Sequence, residues 1–248
     1  MADVSITKIK TYKQCLREYE LRYVEDLESV VPVPALVTGR NYHEKIEDLI
    51  NTGNFENNGT KTDVMVNAFK EFIYPNFNFK TAEEDFSIPL TDNISLIGRI
   101  DAFLEDGTPV EHKTSSSKPD EIYEGKLAWD DQVAAYMLAT GKNKMLYTVC
   151  QKPTIRQRKN ETETEYLDRV RDWYDSSKIK AFYVYRSEEE LQDKLEEFKR
   201  IALEMENRQF FYPNPSNCRI LNCPFEEICL DYQPGMEEVP LGYKKRNK

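Results

Sequence analysis

Three side chains near the middle of the chain have the types and spacing of a phosphoryl-transfer centre. They are Asp101, in Gly98-Arg-Ile-Asp101, and Glu111 and Lys113, in Val110-Glu-His-Lys-Thr114. Between them, Glu105-Asp106-Gly107 fits a three-residue hairpin loop, a type I turn closed by a left-handed residue that is usually glycine. With Leu104 then facing Thr108, Asp101 stands directly opposite Glu111. Opposed residues share a face, as do residues two apart along a strand, so the two acids and the lysine gather on one surface of a sheet. A two-residue loop would instead set Asp101 opposite His112 and turn Glu111 to the other face, so the register decides the matter.

Two carboxylates held side by side repel each other unless a cation sits between them, and oxygen donors favour Mg²⁺ or Mn²⁺. Such an ion polarises a phosphodiester and lowers the pKa of a bound water. Lys113 beside it would orient or deprotonate the attacking water and counter the growing negative charge. The same three residues also suit a surface salt-bridge ladder on a half-exposed hairpin.

The surrounding pattern predicts an α/β body. A helix is expected from about Thr7 to Tyr23, capped by Ser5, and a second from Leu36 to Asn51, with His43, Ile46 and Ile50 on one stripe that points to the core. Val64, Ala68 and Phe72 suggest a third helix. Strands follow at Phe86–Leu90, Ile94–Leu104 and Pro109–Thr114, then a helix from Leu127 to Thr140 closed by Gly141 and a buried strand over Met145–Cys150. Residues 156–177 are highly charged and read as a solvated helix or flap. Ala181–Tyr185 is a strand, and Ser187 with Glu190 has the spacing of a capping box opening a long helix.

The 248 residues suit one large domain, and their 40% apolar, 31% charged and 12% aromatic content is that of a globular protein. No apolar run is long enough to span a bilayer and no secretory signal opens the chain, so a cytoplasmic protein without membrane attachment is expected. The net charge of −10 argues against a surface coated in positive charge. A local basic track is still compatible with it, because metal-binding carboxylates push the total the other way.

Beyond the hairpin, Gly39-Arg-Asn-Tyr-His43 and Gln132-Val-Ala-Ala-Tyr136 stand in order along the chain. Gln132 and Tyr136, at i and i+4, share a helical face, where an amide and a phenol can brace a lysine or a phosphate; a plain half-buried helix face is the alternative. With these motifs the chain resembles the RecB-type branch of the PD-(D/E)XK nuclease superfamily over most of its length. Asp101 matches the first acid and Glu111-His112-Lys113 the E-x-K, with Ile100 where the eponymous proline would stand. The resemblance implies a restriction-endonuclease-like core, a mixed central sheet flanked by helices. It makes His43 a metal ligand rather than a satisfied core histidine, and it makes Gln132 and Tyr136 DNA- or lysine-positioning residues.

Five cysteines, an odd number without an export signal, point away from a disulfide framework. Cys218, Cys223 and Cys229 lie close together near the end of the chain and invite a metal, whereas Cys150 sits in an apolar strand. Tyr12-Lys-Gln-Cys15 resembles the N-terminal ligand segment of the iron–sulfur subset of RecB-type nucleases, which includes the AddB-type helicase-nucleases and CRISPR-associated exonucleases. That likeness implies a 4Fe-4S cluster on Cys15, Cys218, Cys223 and Cys229, with zinc as the alternative. The four residues between Cys218 and Cys223 depart from the two usual in that subset.

The expectation is therefore one nuclease domain over 1–248. Its core runs from about 36 to 210, and a small cysteine-ligated subdomain is formed by both termini, about 1–25 and 211–233. Asp101, Glu111 and Lys113 are the catalytic set. His43, Asp101, Glu111 and the backbone carbonyl of His112 hold Mg²⁺ or Mn²⁺. The resemblance implies single-stranded DNA ends as substrate, threaded past Arg156 and Arg158, in recombination, repair, replication or CRISPR contexts. The rival expectations are a non-catalytic DNA-binding or scaffold subunit of a recombination or CRISPR adaptation complex, and a metal-stapled interaction protein.

Overall fold

The structure, a computed structural model, describes residues 2–31, 34–218, 223–236 and 238–246. The chain forms two compact units, one from 1–33, 88–97 and 193–248 and the other from 34–87 and 98–192. In chain order the elements are β1 (Ala2–Ser5), α1 (Ile6–Gln14), α2 (Leu16–Tyr19), β2 (Leu27–Ser29), α3 (Pro34–Thr52), α4 (Lys61–Phe72), β3 (Phe79–Pro89), β4 (Ile94–Leu104) and β5 (Pro109–Ser115). They continue with α5 (Glu121–Leu127), α6 (Asp131–Thr140), β6 (Lys144–Gln151), α7 (Glu163–Trp173), β7 (Ile179–Tyr185), α8 (Glu188–Asn207), α9 (Pro215–Cys218) and β8 (Tyr243–Lys245).

In the second unit the strands run in the order β4, β5, β6, β7. The β4–β5 and β6–β7 pairs are antiparallel, while β5 and β6 run parallel. A parallel pair needs a crossover, and α5 and α6 supply it. The sheet is thus mixed and flanked by helices, as expected. One face carries an apolar core in which Tyr42, Ile46 and Leu49 of α3 and Met65 and Phe69 of α4 meet Ala102, Val110, Leu146 and Cys150 of the strands. On α3 the deepest residue at this end is Tyr42, at 1% exposure; His43 is half-buried at the margin of the stripe rather than in the core.

The α4 N-terminus shows how polar groups are satisfied in this unit. The Thr60 Oγ1 accepts from the Asp63 amide (3.3 Å), the Asp63 carboxylate accepts from the Thr60 amide (2.7 Å), and Lys45 reaches the same carboxylate at 2.9 Å. Burial would raise the Asp63 pKa, but the Thr60 and Lys45 contacts outweigh it and hold the group below its ordinary 3.8. A depressed folded-state pKa gives stability that is complete above the unfolded value and is lost as pH falls through the folded one. Replacing Asp63 by Ala is therefore expected to lower unfolding free energy by about 2–3 kcal/mol at neutral pH. In urea titrations the gap to the unmodified protein narrows below about pH 4; a gap independent of pH would refute the assignment.

In the first unit, β1 pairs in parallel with Ile94–Ile97, and β2 pairs with β8. The single helix expected over Thr7–Tyr23 is interrupted. Ser5 caps α1 as anticipated, but Cys15 is extended (φ −160°, ψ 114°), and α2 passes into a π-helical turn over Glu20–Val24. The break follows from competing partners: the Arg17 amide donates to the Tyr212 carbonyl (3.1 Å) and the Asn214 amide to Cys15 Sγ (3.3 Å). The buried Arg17 guanidinium then binds Glu20 and the carbonyls of Cys229 and Tyr232. Leu21, Leu27, Phe225, Ile228 and Tyr232 make this unit's own core.

Candidate active site

The hairpin that carries the acidic residues closes through Leu104 and Thr108. The Leu104 amide donates to the Thr108 carbonyl (3.0 Å), and the Gly107 amide donates back to the Leu104 carbonyl (2.9 Å). Gly107 has φ +76°, the left-handed value the third loop position requires. Ala102 then pairs with Val110 and Phe103 with Pro109, a register that sets Asp101 across from Glu111. Val110 and His112 turn toward α4 and the apolar core, and Glu111 and Lys113 turn to the face covered by α6.

Glu111 is fully buried, and its carboxylate is held by the Lys113 ammonium and by Gln132 Nε2 (2.9 Å). Gln132 Oε1 accepts from Lys113 Nζ at 3.0 Å, so one amide fixes acid and lysine together. Its Nε2 also reaches the Tyr136 hydroxyl at 3.0 Å, and that hydroxyl donates to the Arg99 carbonyl. Burial and the nearby Asp101 carboxylate push the Tyr136 phenol far above its ordinary value, so it remains a donor. The i, i+4 spacing read from the sequence thus gives a braced pair on α6. Asp130 begins that helix by accepting from the Gln132 amide (2.9 Å).

Asp101 makes a second cluster. Its Oδ2 accepts from the His112 amide (2.8 Å) and lies 3.5 Å from His43 Nδ1. Burial would raise this carboxyl, but the contact with His43 and the nearby Lys113 charge hold it below its ordinary value. The His112 ring faces inward, hydrogen-bonded through Nδ1 to Thr148 Oγ1 (2.7 Å) and edge-on to Phe69. Burial pushes its pKa down to about 4, which keeps it neutral. The ring therefore anchors β5, and it is the backbone of His112 that faces the acids.

The donor set of His43, Asp101 and Glu111, one imidazole and two carboxylates, fits a hard divalent cation chemically. As they stand, the side chains form two pairs, Asp101 with His43 and Glu111 with Lys113, and among the described residues no three His, Cys, Asp or Glu side chains are arranged to hold an ion. Glu47, a turn beyond His43, is raised by partial burial and by Glu83, Asp48 and Glu44, with Arg99 opposing. Gly98 lies under Phe86, where a Cβ would come within 2.7 Å of the ring, and Phe86 in turn packs on Tyr136.

In the first unit, Cys15, Cys218 and Cys223 line one narrow cleft with Gln14, Glu18 and Asn214. Burial pushes Cys223 up to about 11, and Glu18, Cys218 and Cys15 add to this. Cys229 is raised by burial and then by Cys15. Cys150 is buried in the second unit beside the Tyr174 hydroxyl, and burial pushes its thiol up to about 12. Arg156 and Arg158 lie exposed in the segment between β6 and α7.

A mixed sheet flanked by helices, with an acid at one strand and an acid and lysine on the next, defines a restriction-endonuclease-like core. The chain belongs to the PD-(D/E)XK nuclease superfamily, whose model matches residues 60–230. Among solved structures it is similar to a protein of Eubacterium rectale to which exonuclease activity is ascribed, at 11% identity, a TM-score of 0.51 and coverage of 88% of this chain and 92% of the other. That likeness shows a shared fold. Weaker likenesses are to a phage-related exonuclease from Haemophilus somnus (16% identity, TM-score 0.37, coverage 66% and 78%) and an alkaline exonuclease from Laribacter hongkongensis (11%, 0.35, coverage 82% and 90%). No curated protein matches the sequence. No helix among the described residues is long and apolar enough to cross a membrane.

Proposed function

We propose that the protein is a Mg²⁺- or Mn²⁺-dependent deoxyribonuclease acting on single-stranded DNA ends, in the cytosol and in the service of recombination, repair or DNA processing. The observation that carries this reading is the Gln132 amide, which holds Lys113 Nζ against Glu111 on the hairpin where Asp101 stands opposite. His43, Asp101, Glu111 and the His112 carbonyl would hold the ion. When bound, it supplies polarisation of the phosphodiester and a more acidic water. Lys113 keeps its proton at Nζ and donates toward the phosphoryl oxygen on which charge grows, and Gln132 and Tyr136 hold it in place. A Glu111 oxygen that held the ion would be shared between it and Lys113, leaving the ammonium able to donate to the phosphate as well. Arg156 and Arg158 are proposed to meet the DNA backbone.

Release of nucleotides from labelled single-stranded DNA in Mn²⁺, with 5′ or 3′ ends blocked in parallel, tests the reading. No release from any substrate would refute it, and cleavage of closed single-stranded circles, which have no ends, would replace the exonuclease with an endonuclease. The reading extends to a 4Fe-4S cluster on Cys15, Cys218, Cys223 and Cys229, supported by the three thiols that share one cleft. It is expected to give visible charge-transfer absorbance that is lost in Cys218→Ala; a colourless protein that carries zinc would replace cluster with zinc.

A further inference from the structure

We propose that Trp129 is a stacking platform that receives a nucleobase of the DNA strand whose backbone enters the Asp101–Glu111–Lys113 site; this rests on the nuclease reading above. The indole is 83% exposed on the turn between α5 and α6. A single exposed apolar side chain is ordinary by itself. What distinguishes this one is how it is held and where. The Trp129 amide donates to the Lys126 carbonyl (3.0 Å), Arg186 donates to the carbonyls of Leu127 (2.8 Å) and Ala128 (2.6 Å), and Asp130 accepts from the Gln132 amide (2.9 Å), which fixes the turn on both sides. Three residues later comes Gln132, the amide that touches both Glu111 and Lys113. Three residues of chain span at most about 10 Å, the scale of one to two nucleotides.

A large aromatic surface left in water on an immobilised turn is preorganised for a flat partner, because little conformational freedom is lost when one binds. The local charge is mixed, with exposed Glu121 and Glu124 on α5 set against exposed Lys126 and the Arg186 guanidinium on the turn itself, so charge does not select the partner. The flat apolar indole face does, since every base offers an uncharged face to stack on it. Ile122, 74% exposed on α5, adds further apolar surface ahead of the turn.

The chain has two tryptophans, and the other, Trp173, packs against Tyr174 and Lys178. In a Trp173→Phe background Trp129 becomes the sole indole reporter. Titration with single-stranded oligothymidylate in Ca²⁺ is expected to quench its emission. By the anisotropy of an end-labelled oligothymidylate, which needs no indole, Trp129→Ala is expected to weaken binding by about 5- to 150-fold while Trp129→Phe keeps most of the affinity. The slope of log affinity against log salt should be the same in all three, because no phosphate contact is removed. If the parent protein binds and cleaves DNA but Trp129→Ala binds within about twofold of it, the stacking role is wrong and the nuclease reading stands. A changed salt slope would make the contact one to the backbone and likewise overturn the proposal. If the parent protein neither binds the strand nor releases nucleotides in Mn²⁺, the nuclease reading fails and the platform falls with it.

Discussion

Asp101→Asn and Lys113→Met are each expected to lose about a thousandfold or more in the rate of Mn²⁺-dependent DNA hydrolysis, with the fold retained in the first. Asparagine keeps an oxygen where the His112 amide donates (2.8 Å), so β4 and β5 can remain aligned while the negative charge is gone. A carboxylate that only closed a surface ladder would contribute little, and its neutral replacement would leave the rate unchanged. Lys113→Arg separates charge from geometry. The guanidinium retains the charge, but its planar fork cannot occupy the point where one ammonium meets Gln132 Oε1 (3.0 Å) and Glu111. It should therefore rescue little. Initial rates on labelled single strands, with Cys150→Ala as a folded control away from the site, check all three. Rates within about tenfold of the parent for Asp101→Asn would remove the hydrolytic assignment, since general acid–base and electrostatic contributions exceed that factor.

The hairpin was the most legible part of the chain because loop length and register are tied by geometry. Once Gly107 supplies the left-handed position, every opposed pair is set, and Asp101 and Glu111 follow. The Gln132–Tyr136 pair was legible for the same kind of reason, a fixed helical period. Breaks inside helical patterns were not. A helix was expected from Leu127 to Thr140, whereas α5 ends at Leu127 and α6 starts only after a turn, where Asp130 caps it. The capping residue was the available signal. The interruption at Cys15 depends on the 212–214 segment, far away in sequence, and no local pattern encodes it. The strand over Phe79–Pro89 extends well ahead of the alternation that marked it at Phe86, because Glu83 adopts φ +51° and breaks the two-residue period. His43 shows the limit of a stripe: it shares a face with Ile46 by spacing, yet it is Tyr42 that goes into the core and the histidine that stays at the margin beside Asp101.

The contact between Glu111 and Lys113 also sets stability against function. Glu111 is fully buried, whereas the Lys113 side chain is 31% exposed. Removing the lysine alone leaves a buried carboxylate with Gln132 as its remaining partner among the named contacts, and an uncompensated buried charge is strongly destabilising. Lys113→Met is therefore expected to lower unfolding free energy by roughly 2–3 kcal/mol, less than for a fully buried pair because water reaches the ammonium. Removing both charges removes the reason for the penalty. In Glu111→Gln/Lys113→Met the new amide can hydrogen-bond to Gln132 and the methionine fills the space of the lysine stem, so urea unfolding without divalent ions should show stability equal to or above that of the parent. The same double variant should be inactive, since it has neither the acid nor the ammonium. Such a protein, at least as stable but unable to cleave, would mean that the pair is retained for chemistry and at a cost to the fold. A double variant no more stable than Lys113→Met would show instead that the ion pair is a structural contact whose loss no neutral substitution repairs.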